Sequence, residues 1–151
     1  MVRLQLWDIA GQERFGNMTR VYYRDAAAAF VVFDLTRQAT FEAAARWKED
    51  LDMKVITGDG SKVPAILLAN KCDMPKDQCT VADAEIAKFS RENGFTAWFK
   101  VSAKDGTNID DAGDMIIRSI LAREDSTDHL VTLPERGLVL DQHSKPKSKC
   151  C

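Results

Sequence analysis

The stretch LQLWDIAGQE, residues 4–13, joins a short apolar strand pattern to an Asp-x-x-Gly-Gln sequence. The strand would end near Asp8, whose carboxylate suits a metal-bound water, and Gly11 would let a backbone N–H approach a phosphate closely. Gln12 would then lie where an attacking water must be oriented. Asp and Gly are also common wherever a strand passes into a loop, so this stretch alone leaves an ordinary turn as the alternative.

The composition is that of a globular protein. The 151 residues are 45% hydrophobic and 29% charged, which predicts one domain with its own core. The 21 basic and 23 acidic residues give a net charge of −2, so no nucleic-acid partner is expected. We expect a cytosolic chain, since no apolar run is as long as a membrane span and no signal peptide pattern begins the sequence. Cys72 and Cys79 stand apart, and no spacing of Cys or His indicates a metal site.

Strand and helix patterns alternate along the chain, which predicts an α/β fold with a mostly parallel sheet flanked by helices. The expected strands cover residues 2–9, 27–35, 65–69 and 98–101. Residues 13–24 read as a loop that passes into a short helix, and residues 58–62 as a surface turn. The other helices are expected over 41–55, from 80 to Gly94, and from 108 to about 124.

Helix caps and packed faces follow from residue type and spacing. Thr40 and Thr80 are expected N-caps, and Thr107 or Asn108 is expected to cap the last helix. Apolar spacing predicts two packed helix faces, one formed by Phe41, Ala44, Ala45, Trp47, Lys48 and Leu51 and the other by Ile109, Ala112, Ile116 and Ile120.

The composition changes at Asp125 to Ser, Thr, Pro, Lys and scattered charge. We therefore predict a folded domain over residues 1–124 and a flexible tail over residues 125–151. The tail ends in Cys150 and Cys151, after three lysines in the last seven residues.

Two more polar motifs follow predicted strands. Residues 70–73 (NKCD) follow the AILLA strand, and residues 102–104 (SAK) follow the WFKV strand. In an open α/β sheet, the carboxyl ends of the strands form the edge where ligands bind. The Asp73 carboxylate could accept hydrogen bonds from the N1–H and exocyclic amino groups of guanine, a pattern that adenine cannot offer, which would discriminate between the bases by several kcal/mol. Each motif alone also fits an ordinary turn after a strand.

The motifs WDIAGQERF, NKCD and SAK, in this order, resemble those of the Ras superfamily of small GTPases. Trp7, residues 13–15 and 22–24, and the terminal cysteine pair are similar to the Rab branch. Ile9 stands where most Rabs have Thr. At Ile9 and at residues 16–21 and 67–73, the sequence is similar to the Rab thirty-two and thirty-eight pair. That pair has a family role in trafficking to lysosome-related organelles.

The resemblance implies a P-loop-NTPase-like G domain that binds GTP or GDP with Mg²⁺ and hydrolyses GTP as a switch in vesicle trafficking. If the roles of the family's residues are carried over to this sequence, Asp8 would be the water-mediated Mg²⁺ partner, Gly11 the γ-phosphate sensor and Gln12 the catalytic residue. Residues 11–24 would be the second switch, ordered by GTP. The nucleotide base would meet the residues Asn70, Lys71, Asp73, Ser102, Ala103 and Lys104.

The resemblance also implies partners and a location. Trp7 and Tyr22 match two aromatic positions with which Rabs meet effectors, although ordinary core packing is the alternative for both. An exchange factor, a GTPase-activating protein and a prenylation escort protein are the other expected partners. Double geranylgeranylation of Cys150 and Cys151 would anchor the chain to the cytoplasmic face of endosomal membranes and those of lysosome-related organelles.

The family's phosphate-binding motif, Gly-x-x-x-x-Gly-Lys-Ser/Thr, does not occur in these 151 residues, and neither does the first-switch Thr. Relative to the family pattern, the sequence begins at the third strand, without the first two strands and the first helix. We therefore expect residues 4–9 to have no strand neighbour and the strand at residues 27–35 to be a bare apolar edge. We also expect low stability, and nucleotide binding that is micromolar or weaker, or none. The alternatives to a working switch are a non-enzymatic interaction module and an inactive fragment.

Overall fold

The computed structural model describes residues 3–9, 23, 25–55, 57 and 60–128, with side chains as far as residue 123. Three parallel strands form a sheet in the order β1 (Ala29–Asp34), β2 (Ala65–Asn70) and β3 (Ala97–Lys100). β2 is central and its first five residues are buried, as expected for a strand that is covered on both faces. The predicted α/β class with a parallel sheet is confirmed, and β1, β2 and β3 correspond to three of the four predicted strands.

Helices connect the strands and cover the sheet. They are α1 (Gln38–Lys54), α2 (Asp83–Glu92) and α3 (Ile109–Asp128), and a short 3-10 helix spans Lys76–Gln78. α1 begins three residues before the predicted start, and α3 continues beyond the predicted end near residue 124. The predicted stop after α2 is confirmed, because Gly94 follows that helix with a φ of 68°, a left-handed value that glycine adopts easily.

The predicted N-caps of α1 and α2 are wrong. The N-cap of α1 is Arg37 and that of α2 is Ala82, and neither makes a side-chain cap bond. The Thr40 hydroxyl accepts the backbone N–H of Asp34 at 3.0 Å, and the Thr80 hydroxyl donates to the Leu35 carbonyl at 3.2 Å. These threonines therefore bind the end of β1, a tertiary role that a local cap pattern cannot reveal.

The side chains of Thr107 and Asn108 likewise bond outside α3. The Thr107 hydroxyl donates to Asp105 at 2.7 Å, and the Asn108 amide donates to the Lys100 carbonyl at 2.7 Å. Asn108 joins the loop to the end of β3 in this way, with a left-handed φ of 55°.

The hydrophobic core has two clusters, one on each face of the sheet. Cluster 1 packs the sheet against α1 and α2, and its buried members include Phe33, Phe41, Leu51, Leu67 and Ile86. Cluster 2 packs the other face against α3 and consists of Ile66, Leu68, Val101, Ala112 and Ile116. The predicted packed face of α1 is confirmed for Phe41, Ala44, Lys48 and Leu51, which are buried. In α3 the prediction is wrong for Ile109, whose side chain is 41% exposed.

Residues 3–9 have no regular secondary structure, so the predicted strand over residues 2–9 is wrong. A strand needs a hydrogen-bonded neighbour, and none of the described residues supplies one to this segment. Leu6 is 71% exposed, while Ile9 packs against cluster 1. β1 lies at one edge of the described sheet, and Val32 on it is 55% exposed, which agrees with the expected apolar edge.

Two other predicted segments are only partly described. The loop and short helix over residues 13–24 lie outside the described residues except for Tyr23, which is helical and buried and donates to Asp50 Oδ2 at 3.0 Å. The turn near residues 58–62 is confirmed at its ends, because the Thr57 N–H donates to the Ser61 carbonyl at 3.1 Å. Within the described ranges, no helix has the length and apolar character needed to cross a membrane.

Candidate functional site

The carboxyl ends of the three strands bring the predicted base-binding residues to one edge of the sheet. Asp34 at the end of β1 lies opposite Asn70 at the end of β2, and Ala69 lies opposite Lys100 at the end of β3. Because all three strands are parallel, the loops that follow β2 and β3 leave from the same edge. These two loops carry the NKCD and SAK motifs.

Asn70 ties these two loops together. Its Oδ1 accepts the backbone N–H of Lys71 at 2.8 Å and that of Ala103 at 3.1 Å. The N–H of Cys72 donates to the Val101 carbonyl at 3.0 Å and adds a second link. Lys71 has a left-handed φ of 69°, which is unfavourable for a residue with a side chain, so these bonds help to hold a strained turn.

Ser102 and Asp73 form the second connection between the loops. The fully buried Ser102 donates its hydroxyl to Asp73 Oδ1 at 2.8 Å. The Oγ of Ser102 in turn accepts the N–H of Lys104 at 3.2 Å and that of Asp105 at 3.4 Å. The ammonium of Lys104 lies 3.6 Å from Asp73 Oδ2, and the Asp73 side chain is 13% exposed.

The Asp73 carboxylate at this edge has the acceptor capacity to receive the hydrogen bonds of a guanine base. An ionised carboxylate offers about four acceptor sites, and the contacts of Asp73 with Ser102 and Lys104 leave capacity for two further donors. The N–H of Ala103, one of the residues expected to meet the base, donates to Asn70 in this structure. The edge therefore presents a fixed carboxylate of low exposure that can accept from a base edge, whereas the Ala103 N–H would have to leave Asn70 before it could meet a base carbonyl.

Asp34 lies at the same edge and was not among the residues predicted from the sequence. The Lys71 ammonium contacts Asp34 Oδ2 at 2.7 Å, and Oδ1 accepts the N–H and hydroxyl of Thr36 at 2.9 Å and 2.7 Å. Burial raises the pKa of Asp34, but the bonds from Lys71 and Thr36 outweigh it, so the pKa lies below its ordinary value. The sequence feature that could have indicated Asp34 is an acidic residue at the end of a buried strand.

Cys72 lies within the NKCD motif without the features of a reactive thiol. Burial is the main cause that raises its pKa, and the nearby carboxylates of Asp105 and Asp73 raise it further. The thiol therefore stays protonated near neutral pH. Cys72 and Cys79 are both free cysteines.

The residues predicted to bind phosphate, metal, effectors or lipid make no described contact with the NKCD and SAK loops. Asp8 and Trp7 lie in the irregular segment 3–9, and Trp7 is 69% exposed, which argues against core packing for its side chain. Gly11, Gln12, Tyr22, Cys150 and Cys151 lie outside the described residues. No group of three or more His, Cys, Asp or Glu among the described residues could hold a metal ion, so the role of Asp8 toward Mg²⁺ stays a prediction.

The sequence has clear relatives among known proteins. Residues 1–122 match the model of the Ras family. All of the chain aligns with 68% of Ras-related protein Rab-32 from Homo sapiens at 50% identity, and from Mus musculus at 49% identity. It also aligns over its full length with 73% of Ras-related protein Rab-7L1 from Homo sapiens at 45% identity. The chain therefore belongs to the Ras family and, within it, to the Rab small GTPases of membrane trafficking, on the branch that includes Rab-32.

Proposed function

We propose that this chain recognises guanine nucleotides through the base-reading site formed by the NKCD and SAK loops. The observation that carries the proposal is the 2.8 Å hydrogen bond from the buried Ser102 hydroxyl to Asp73 Oδ1. This bond holds the carboxylate in one position before any ligand arrives. A preorganised acceptor costs little to order on binding, which favours a ligand with two adjacent N–H donors.

The chemistry of the two purines explains the selectivity. Guanine presents its N1–H and its exocyclic amino group side by side, and both can donate to the Asp73 carboxylate. Adenine has an acceptor at N1, so N1 would face a carboxylate oxygen with no proton between them, and the remaining acceptor positions of Asp73 would not both be filled. Unfilled acceptor positions on a charged group of low exposure cost several kcal/mol, so guanine is expected to be strongly preferred.

The proposal extends to the switch reaction that is characteristic of the family. Gln12 would orient the attacking water, Gly11 would contact the terminal phosphate, and Asp8 would hold Mg²⁺ through a water. Family membership and the order of the motifs support these three roles. When bound, Mg²⁺ would neutralise charge on the phosphates.

We also propose an alternative in which the 151 residues act as an interaction module without GTP turnover. The Gly-x-x-x-x-Gly-Lys-Ser/Thr motif is not in this sequence, and the exposed Trp7 and Leu6 offer apolar surface to a partner. Magnesium-dependent GTP turnover separates the switch from this module.

The proposed partners are effectors, an exchange factor, a GTPase-activating protein and a prenylation escort protein. We also propose geranylgeranylation of Cys150 and Cys151 and a location on lysosome-related organelles, on the strength of the Rab resemblance.

The base-reading site can be tested by changing what Asp73 accepts. Asp73→Asn replaces one acceptor oxygen by an amide donor, which suits xanthine because xanthine carries a carbonyl where guanine has its amino group. We expect the variant to bind GDP about tenfold or more weakly and to gain affinity for xanthosine diphosphate. Isothermal titration calorimetry of the 151-residue chain with GDP, ADP and xanthosine diphosphate measures all three affinities.

The matched control is Asp77→Asn, the same change at an exposed position in the 3-10 helix. It should leave GDP binding unchanged. An unmodified chain that binds GDP no better than ADP would contradict base recognition. A normal GDP preference that persists in Asp73→Asn would instead remove Asp73 from the assigned role.

A further inference from the structure

We propose that Asp34 is a positioning residue for the nucleotide, because its carboxylate holds the Lys71 side chain across the base site. This inference rests on the proposed guanine recognition and adds a residue from β1 to it. Asp34 acts through Lys71 and has no assigned contact with the ligand itself.

Lys71 is held at both of its ends. Its backbone N–H donates to Asn70 Oδ1 at 2.8 Å, and its ammonium contacts Asp34 Oδ2 at 2.7 Å. The left-handed φ of 69° turns the chain away from β2 at this residue. The side chain is 52% exposed, so part of its stem remains available to a ligand. A lysine stem fixed at both ends can pack against a flat ring without losing further rotamer freedom when the ring binds.

Asp34 is itself rigid. Its side chain is 15% exposed, and its Oδ1 accepts two hydrogen bonds from Thr36. Its backbone N–H donates to the Thr40 hydroxyl at 3.0 Å, which anchors the residue to the first turn of α1. In register with Asn70, Asp34 places a fixed negative charge next to the NKCD loop. The Lys71 ammonium therefore has one defined partner instead of a choice of solvent-facing rotamers.

A double-mutant cycle tests this arrangement in the full 151-residue chain with GDP as the probe. Asp34→Asn keeps the shape of the side chain and an acceptor for Thr36, and it removes the charge that holds Lys71. Lys71→Gln removes the ammonium. Lys and Gln are equally strained by the left-handed backbone at this position, so the substitution does not change the strain. We expect Asp34→Asn to weaken GDP binding about fivefold, and to have no further effect in the Lys71→Gln background.

The control for a merely structural role is Asp83→Asn. It removes the carboxylate that contacts the Lys100 ammonium and leaves Asp34 and Lys71 in place, so GDP affinity should stay near that of the unmodified chain. Far-UV circular dichroism of each variant checks that the fold is retained.

The outcomes separate this inference from the proposed function. Full GDP affinity in Asp34→Asn, or losses from the two substitutions that simply add, would overturn the positioning role. A loss in Asp83→Asn equal to that in Asp34→Asn would overturn it as well, because general disturbance of the sheet edge would then explain both. Failure of the unmodified chain to prefer GDP over ADP would count against the proposed function.

Discussion

Ser102 shows how one buried hydroxyl can organise the site. Its O–H donates to Asp73 and its oxygen accepts the N–H groups of Lys104 and Asp105, so Ser102→Ala removes three hydrogen bonds at once. We expect the free energy of unfolding to fall by about 1 to 3 kcal/mol, since a buried network loses its central member. Guanine binding should weaken too, because Asp73 loses the bond that fixes it. Urea denaturation and GDP titration measure the two effects.

Ser119→Ala is the matched control for this substitution. The Ser119 hydroxyl donates to the Met115 carbonyl within α3, away from the SAK loop. Its replacement should change the free energy of unfolding by no more than about 0.5 kcal/mol. Equal effects of the two substitutions would mean that the Ser102 network adds nothing to stability.

Residue chemistry allowed the meeting of most residues of the proposed base-reading site to be predicted. The polar motifs after β2 and β3 indicated one shared edge, and the structure confirms that Asn70, Asp73 and Ser102 meet there. Asp34 was missed because its importance depends on its contact with the Lys71 ammonium, made from a left-handed backbone conformation that is not visible in the sequence. Partners that depend on backbone direction need the fold before they can be recognised.

At the scale of elements, periodicity predicted the order and type of the described strands and helices, while local signals failed where tertiary contacts decide. Thr40 and Thr80 matched a cap pattern, yet their hydroxyls bind the end of β1. Residues 3–9 alternate like a strand, but none of the described residues pairs with them. A strand is a property of two segments, so its own residues cannot establish it.

α1 contains a buried charge whose partner should matter for stability. Lys48 is 3% exposed, and its ammonium bonds both carboxylate oxygens of Asp52 at 2.7 Å and 2.6 Å. The ammonium also lies 5.7 Å from the centre of the Phe95 ring, and Lys62 approaches Asp52 at 2.9 Å. Asp52→Asn would leave the buried ammonium without its counter-ion, so the free energy of unfolding should fall by about 3 kcal/mol.

The pH dependence of stability gives the same pair a second readout. Burial raises the pKa of Asp52, but bonds from Lys48 and Lys62 outweigh it and place the pKa below its ordinary value. A carboxyl with a lower pKa in the folded state stabilises the fold above its unfolded pKa, and this contribution is lost as pH falls through the folded pKa. Urea denaturation below about pH 4 should therefore show a shallower loss for Asp52→Asn than for the unmodified chain.

The control for both readouts is Glu42→Gln, at an exposed position on α1. It should change stability little at neutral pH and should leave the acid response close to that of the unmodified chain. Parallel acid profiles for Asp52→Asn and the unmodified chain would contradict the assigned pairing.

At the scale of the whole molecule, β2 joins the two halves of the core. Leu67 belongs to cluster 1 and Leu68 belongs to cluster 2, so successive residues of one strand point to opposite faces. α1 and α2 pack against the first face and α3 against the second. Because β2 cannot lose one face without disturbing the other, the two clusters should unfold together.

This coupling can be tested with fluorophores that report on one face only. Trp47 and Trp98 pack against cluster 1, whereas Trp7 is 69% exposed and changes its surroundings little on unfolding. Leu68→Ala opens a cavity in cluster 2 and should cost about 2 to 5 kcal/mol. We expect the urea midpoint measured by Trp fluorescence to fall as far as the midpoint measured by far-UV circular dichroism, although the substitution lies on the face away from Trp47 and Trp98. Leu68→Met, which nearly conserves volume, should cost less than about 1.5 kcal/mol. A fluorescence midpoint that stays in place while the circular dichroism midpoint falls would mean that α3 leaves the sheet independently, and that the described residues unfold as two units.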